Sequence, residues 1–231
     1  MGLKYLLHVG CGSKVNKVPF EFAAYKEVRL DCNKLVQPDI VASIVAMPMI
    51  SDNEFDAIFA SHVLEHLHPH EVGMALAEFA RVLKPGGKLL IQVPDLQSIG
   101  GRLALDQADY ALYQSHIGMI TPLDMIYGHR GSVGAGNLFM SHKTGFTQSV
   151  LKDALHTAGL EKIEIDREIQ FELKARAYKP AEVVNDQEEE NSAPQRQDSG
   201  SGGDVGGAGN GHREVPERTL REAGVPMSAG G

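Results

Sequence analysis

A short apolar segment that stops at a Gly-x-Gly turn constrains the fold of this chain more than any other feature. Residues 3–9 have the length and composition of a buried strand, and Gly10 and Gly12 follow directly. Glycine has no Cβ, so its backbone can turn sharply and lie directly against a ligand. Ligands of open α/β sheets bind at the carboxyl ends of the strands. The turn therefore suggests a nucleotide-type cofactor site, although a Gly-x-Gly turn alone is a weak signal.

Further predicted strands alternate with helical segments along the chain. The strand segments are almost wholly apolar, which is typical of a parallel sheet covered on both faces. Residues 114–146 form the longest irregular stretch, and long loops in compact domains are usually functional or mobile. The predicted strands cover residues 3–9, 27–32, 39–44, 55–60, 88–93, 162–165 and 169–177, and the predicted helices cover 20–25, 69–83, 96–113 (broken at Gly100–Gly101) and 148–158.

Asp31 is expected at the end of the second strand, about 20 residues after the glycines. Dinucleotide-type sites place a carboxylate there, because it can accept hydrogen bonds from two ribose hydroxyls. An aspartate at a strand end is also common as a simple turn residue.

The charge of the chain is concentrated in its last quarter. Residues 181–231 hold ten acidic and four basic side chains, a net charge of −6, which leaves −2 for residues 1–180. The near-neutral core argues against nucleic acid as a partner. The composition changes at about residue 179, so we expect a domain over 1–178 and a disordered, acidic, Gly-rich tail over 179–231.

Nothing in the sequence predicts a membrane or secretory segment. No apolar run is long enough to span a bilayer, and the first strand begins too early for a signal peptide. Cys11 and Cys32 are expected to be reduced thiols rather than a disulfide. These features favour a cytoplasmic protein, and the oligomeric state is not readable.

Three further segments, together with Gly10–Gly12 and Asp31, carry a family resemblance. They are Val-Leu-Glu-His-Leu at 63–67, Arg-Val-Leu-Lys-Pro-Gly-Gly at 81–87, and Gly-Phe-Thr at 145–147. On these motifs, residues 3–177 resemble class I S-adenosylmethionine-dependent methyltransferases of type 11. More narrowly, the chain looks like predicted bacterial exopolysaccharide-type methyltransferases. The resemblance implies an α/β, Rossmann-like, seven-stranded and mostly parallel sheet, with an antiparallel last strand and helices on both faces.

The resemblance also implies where the cofactor, S-adenosylmethionine, binds. The chain departs from the family pattern at His8, Lys14 and Ser43, which replace an acidic residue, a glycine and an aspartate. The implied contacts are His8, Gly10, Cys11 and Gly12 at the methionine part, Asp31 at the ribose, Ser43 and Ile44 at the adenine, and Ser61 and His62 beside the sulfonium.

Methyl transfer is an in-line displacement, so the main tasks of such an enzyme are positioning and water exclusion. A general base is needed only if the acceptor is a poorly ionised oxygen or nitrogen. The expected acceptor is a small molecule or a saccharide. The candidate catalytic residues are His62, Asp95, His129 and His142, with His116 as a further possible base.

Three other interpretations compete with this one. Residues 62–66 match the H-x-x-E-H zinc-peptidase pattern, but they straddle a strand end and a helix start, so we expect no metal. A nicotinamide-dependent oxidoreductase is disfavoured, because Val15 stands where G-x-G-x-x-G needs its third glycine. A catalytically silent binding module that keeps the fold stays open, since function lives in the site and not in the fold.

Overall fold

The computed structural model describes residues 2–115, 117–169 and 171–181. The predicted tail beyond residue 181 and the candidate base His116 therefore lie outside the described residues. Within the described ranges, no helix is both long and apolar enough to cross a membrane.

One seven-stranded sheet organises the domain. Its strands are β1 (Tyr5–Val9), β2 (Lys26–Asp31), β3 (Ile40–Val41), β4 (Phe55–Ser61), β5 (Leu83–Pro94), β8 (Glu161–Glu168) and β9 (Glu172–Tyr178), while β6 (Tyr113–Ser115) and β7 (Gly118–Ile120) form a separate hairpin. The order across the sheet is β3-β2-β1-β4-β5-β9-β8. Strands β1 to β5 pair in parallel, whereas β9 is antiparallel to both of its neighbours. The predicted mostly parallel sheet with an antiparallel last strand is confirmed.

In the part of the chain that the structure describes, five α-helices and four short 3-10 helices connect the strands. The α-helices are α1 (Pro69–Val82), α2 (Leu96–Leu103), α3 (Pro122–Tyr127), α4 (Arg130–Gly134) and α5 (Gln148–Thr157), and the 3-10 helices are Phe20–Phe22, Lys34–Val36, Leu64–His66 and Leu138–Met140. Helix α1 begins at a proline, and Glu71 accepts a hydrogen bond from the N–H of His68 at 2.7 Å. This contact satisfies a donor that the helix start would otherwise leave unpaired. Helix α1 ends at Val82, one residue before the end of the helix predicted over 69–83.

Alternating side chains place a core on each face of the sheet. In β1, Leu7 and Val9 point to the larger core, which also holds Leu76 of α1 and Leu155 of α5. Leu6 points to the opposite face, where it packs in a smaller cluster with Phe22, Ala57, Phe59 and Leu90. The segment between β1 and β2 covers that second face with a 3-10 helix, because its proline and short length leave no room for a longer one.

Several local predictions were wrong. The helix predicted over 20–25 is only the 3-10 turn Phe20–Phe22. The third strand shrinks to two residues, because Ser43 forms a bridge with Ala46 and the chain turns there. Helix α2 runs through Gly100–Gly101 instead of breaking there, but it ends at Leu103, so the predicted helix over 96–113 was too long. Residues 114–146 are more regular than expected, since they contain the hairpin, α3 and α4. In α5, Val150 faces solvent, because it lies one residue before the buried stripe that begins at Leu151.

Candidate active site at the strand ends

The glycine turn after β1 adopts the left-handed backbone that glycine favours. Gly10 and Gly12 have φ angles of +57° and +55°. The N–H of Cys11 donates to the carbonyl of Leu30 at 3.1 Å, and the N–H of Gly12 donates to Asp31 Oδ2 at 2.9 Å. These contacts hold the turn against the end of β2, so the loop and the carboxylate form one unit.

Alanine at Gly10 is expected to destabilise the protein by about 1–3 kcal/mol, because the backbone is left-handed and the new methyl group has no room. An ideal Cβ there would lie 2.5 Å from Cγ2 of Val63. Chemical denaturation should show a lower free energy of unfolding. The matched control is Gly73→Ala in α1, where a Cβ meets nothing within 4 Å. That variant should gain about 0.4–1 kcal/mol, and equal effects of the two variants would contradict the geometry.

Asp31 retains acceptor capacity beyond the bonds that fix it in place. Its Oδ1 accepts from the N–H of Asn33 at 2.8 Å, and its Oδ2 accepts from Gly12. Each carboxylate oxygen carries a second lone pair, so both oxygens can still accept a hydroxyl. The side chain is held rigidly at the end of β2, as a ribose-binding carboxylate requires.

A polar network that sequence analysis missed supports the glycine turn from the sheet side. Arg29 donates to the carbonyls of Cys11 and Gly12 at 3.1 and 2.9 Å, and to Glu27 Oε1 at 3.1 Å. Nδ1 of the buried His8 lies 2.7 Å from the same Glu27 oxygen. The period of two along β2 could have revealed the network, because it places Glu27, Arg29 and Asp31 on one face.

The network also explains the histidine at position 8. Burial lowers the pKa of His8 below its usual value, although the hydrogen bond and the charge of Glu27 oppose this. A neutral His8 donates from Nδ1 to the carboxylate of Glu27. A carboxylate is therefore present beside residue 8, although residue 8 itself is not acidic.

The residues predicted at the adenine and the sulfonium occupy different environments. Ser43 is exposed and its Oγ accepts from the N–H of Val45 at 3.4 Å. Ile44 is buried in the larger core, so a ligand at this edge would meet its backbone rather than its side chain. Ser61 is the last residue of β4 and is half-buried. Lys14 is exposed and lies in the loop that follows the Gly10–Gly12 turn.

His62 lies between two carboxylates directly after β4. Its Nδ1 is 3.2 Å from Glu65 Oε1 and its Nε2 is 3.0 Å from Glu172 Oε1. Burial disfavours the charged ring, yet the hydrogen bonds and charges of Glu172 and Glu65 outweigh it and raise the pKa of His62 to about 10. At neutral pH the ring is therefore an imidazolium, which cannot accept a proton. The raised pKa disfavours the hypothesis that His62 is a general base.

Asp95 is also not placed as a base. It is fully buried at the start of α2, where Oδ1 accepts from the N–H of Gln97 and Oδ2 from the hydroxyl of Ser98. Arg167 Nε lies 3.0 Å from Oδ2. These contacts make Asp95 the N-cap of α2, a role that uses its charge to hold the helix start.

The remaining candidates, His129 and His142, differ in which nitrogen carries the proton. Nδ1 of His129 accepts from the N–H of Ser132 at 3.2 Å, so its proton lies on Nε2. Nδ1 of His142 lies 2.8 Å from the carbonyl of Met125, to which it must donate, so its lone pair lies on Nε2. Burial lowers the pKa of His142, which keeps this ring neutral.

The zinc-peptidase pattern at residues 62–66 does not lie within one long helix, as such a site would need, and straddles the end of β4 and a 3-10 turn as predicted. His62 has a φ of +52° and only Leu64–His66 are helical, in a single 3-10 turn. His62 turns towards Glu172, whereas the ring of His66 packs against His142 at a centroid distance of 4.9 Å. The two histidines of the pattern therefore do not share one ligand.

Part of the chain is similar to known methyltransferases in sequence. Residues 7–91 match the family model described as a methyltransferase domain. The chain is similar to a demethylmenaquinone methyltransferase of Renibacterium salmoninarum, with 35% identity over 96 residues. That match covers 37% of this chain and 39% of the relative, so the chain spans well under half of the curated relative.

Solved structures are similar over most of the described chain. An S-adenosylmethionine-dependent methyltransferase of Methanosarcina mazei has a TM-score of 0.51 and 18% identity, covering 78% of this chain and 94% of its own. One of Archaeoglobus fulgidus has a TM-score of 0.52 and 16% identity, covering 77% and 87%. A protein of Pyrococcus horikoshii has a TM-score of 0.54 and 15% identity, covering 78% and 82%.

The family match and the structural matches indicate the same fold, and the strand order of the sheet is consistent with it. The structural matches are too distant in sequence to show more than the fold. The family match covers residues 7–91, which run from within β1 to within β5 and include the glycine turn and Asp31. The predicted Rossmann-like methyltransferase fold is thus confirmed, and residues 7–91, which match the methyltransferase domain model, lie within this sheet.

Proposed function

We propose that this chain transfers the methyl group of S-adenosylmethionine to a small-molecule or saccharide acceptor. The observation that carries the proposal is the hydrogen bond from the Gly12 N–H to Asp31 Oδ2 at 2.9 Å. It joins a left-handed glycine turn and a ribose-type carboxylate at the ends of two neighbouring parallel strands. Both fit the cofactor, because the turn exposes backbone and Asp31 keeps lone pairs for two hydroxyls.

The residues divide the binding task among the strand ends. The cofactor, when bound, supplies a methyl group that its sulfonium already activates. Asp31 accepts the ribose hydroxyls, and the backbone of Gly10–Gly12 contacts the methionine part. Ser43 and the backbone of Ile44 lie at the adenine edge, while Ser61 lies beside the sulfonium.

The charge around His62 suits a cationic ligand. One imidazolium between the carboxylates of Glu65 and Glu172 gives a net charge of −1. A negative cluster attracts a sulfonium more strongly in a partly buried site than in water. His62 therefore acts through this cluster, as a positioning group and not as a base.

The acceptor is the least constrained part of the proposal. The resemblance to exopolysaccharide-type methyltransferases favours a saccharide hydroxyl. A hydroxyl must lose a proton during transfer, and His142 holds a neutral ring with its lone pair on Nε2. His129 would need the other tautomer to act in the same way.

The cytoplasm is the proposed location, because Cys11 and Cys32 are free thiols. Burial raises the pKa of Cys11 to about 11, so this thiol beside the glycine turn stays protonated and unreactive.

Turnover with labelled S-adenosylmethionine tests the proposal. The full chain would be incubated with panels of saccharides and of small aromatic and amine acceptors, and labelled product counted. We expect transfer to at least one acceptor, and at least a tenfold loss of turnover in Asp31→Asn at limiting cofactor. Binding of the cofactor without transfer to any panel member would favour the silent binding module instead.

A further inference from the structure

A second cluster of metal-type side chains lies next to His62. Glu65, His66 and His142 each offer one ligand atom, and these atoms lie within 4.8 Å of one another. Ligands of a tetrahedral zinc ion are about 3.4 Å apart, since each bond is about 2.1 Å long. The cluster therefore needs only small side-chain movements to close on an ion.

The two histidines are oriented as metal ligands usually are. Nδ1 of His66 lies 3.0 Å from the carbonyl of Ser141, and Nδ1 of His142 lies 2.8 Å from that of Met125. A carbonyl only accepts, so each Nδ1 donates a proton to it, which leaves Nε2 as the ring nitrogen that can bind an ion. Histidine ligands in metal sites typically donate their other nitrogen to a carbonyl or carboxylate in this way.

One carboxylate oxygen of Glu65 has no hydrogen-bond partner among the described residues. Glu65 is 1% exposed, and its Oε1 is bound to His62. Its Oε2 is buried and, within the described part of the chain, has no hydrogen-bond partner. A buried carboxylate oxygen without a partner is costly, so such an atom indicates a missing proton, water or ion.

We propose that Glu65, His66 and His142 bind a divalent first-row transition-metal ion of the zinc class. Two imidazole nitrogens and one carboxylate oxygen are the ligand set that such ions prefer, and this set leaves coordination positions open. This set keeps Glu65 and His66 of the H-x-x-E-H pattern and replaces His62 by His142, so the proposal departs from the expectation of no metal.

An ion here would join two parts of the chain that lie far apart in sequence. Glu65 and His66 belong to the 3-10 turn after β4. His142 lies near the end of residues 104–147, the insertion between α2 and α5 that contains α3 and α4. The backbone already links them, because the N–H groups of Lys143 and Thr144 donate to the Glu65 carbonyl at 2.8 and 3.2 Å. The ion would fix the end of the insertion beside the strand ends. While it is bound, Nε2 of His142 is a ligand and cannot also take a proton, so the role of His142 as a base and the charge of −1 around His62 describe the ion-free protein.

Metal binding can be measured without any assay of methyl transfer. The full chain, free of any histidine tag, would be depleted with EDTA, and Zn²⁺ then titrated by calorimetry. We expect one equivalent of Zn²⁺ per chain and a higher melting temperature with the ion, since a ligand that binds only the folded state stabilises it. His142→Ala and His66→Ala should each weaken binding by at least about 100-fold, because even outer partners of ligands contribute about 10- to 100-fold.

Two further variants keep the result interpretable. His156→Ala removes an exposed histidine of α5 and should leave Zn²⁺ binding unchanged. Glu65→Gln keeps the side-chain shape but removes the anionic ligand, so it should weaken binding even if an alanine variant fails to fold. Absence of binding in the folded, depleted protein would overturn the proposal, as would equal binding by Glu65→Gln and the unaltered chain.

Discussion

Replacing Asp31 by asparagine is expected to weaken binding of S-adenosylhomocysteine by about 10- to 150-fold. The carboxylate is the acceptor proposed for the ribose hydroxyls, and a hydrogen bond to a charged group contributes about 1.5–3 kcal/mol. The amide of the variant would still offer one oxygen to the N–H of Gly12 or of Asn33, but it could not satisfy both of these N–H groups and the ribose. Isothermal titration calorimetry of the full chain measures the change directly.

The control for this variant is another aspartate, which lies directly before the first residue of the neighbouring strand β3. Asp39→Asn alters an exposed carboxylate whose Oδ2 accepts from the N–H of Arg29 at 2.8 Å. It lies outside the proposed site, so its affinity for S-adenosylhomocysteine should match that of the unaltered chain. Unchanged affinity in Asp31→Asn would show that the ribose binds elsewhere.

Replacing His62 by asparagine is expected to destabilise the protein by about 1–3 kcal/mol, because the half-exposed imidazolium is the hydrogen-bond partner of a buried carboxylate, which would be left unpaired. The charge in question is that of Glu65, which is buried and whose pKa lies below its usual value: burial opposes this shift, but the bond and charge of His62 outweigh it. Asparagine tolerates the left-handed backbone at this position, so strain does not confuse the result. Urea denaturation gives the free energy of unfolding.

The destabilisation should depend on pH in a defined direction. His62 has a pKa of about 10 when folded and about 6.5 otherwise, so its contribution is complete below pH 6.5 and lost as the pH rises towards 10. Glu65 has a lowered pKa, so its contribution is complete above its usual value of 4.5 and lost in more acidic solution. The difference between the unaltered chain and His62→Asn should therefore be largest between pH 4.5 and 6.5.

A double variant separates the ion pair from other effects of the substitution. With Glu65→Gln already present, His62→Asn should cost much less than it does in the unaltered chain, because no buried carboxylate is left unpaired. His156→Asn, on the exposed side of α5, should change stability by less than about 0.5 kcal/mol. Additive losses at residues 62 and 65 would contradict the pairing.

The sheet was predictable because its strands are apolar runs bounded by strong turn signals. Residues 55–60 and 88–93 lie within β4 and β5, and the helix after β4 was predicted to within one residue. Predictions became less accurate where local signals compete with long-range contacts. Gly100–Gly101 marks a break by propensity, yet α2 continues through both residues because Asp95 caps its start and Ile99 is buried against the insertion.

The candidate site was predictable only where one element carries it. Gly10, Gly12 and Asp31 follow strand ends, so their positions could be read from the chain in order. The network of His8, Glu27 and Arg29 joins the consecutive strands β1 and β2, and the periodicity of β2 alone indicates only its members on that strand. The pairing of His62 with Glu172 joins strands that are distant in sequence. His62 and Glu172 are 110 positions apart, and only the place of β9 beside β5 brings Glu172 to the end of β4.

Calorimetric titration of the full chain with S-adenosylhomocysteine, followed by NAD, tests the central claim most directly. The glycine turn and Asp31 predict saturable binding of one S-adenosylhomocysteine per chain and no measurable binding of NAD. Binding of NAD in preference to S-adenosylhomocysteine, or binding of neither, would contradict the assignment of the strand ends as an S-adenosylmethionine site.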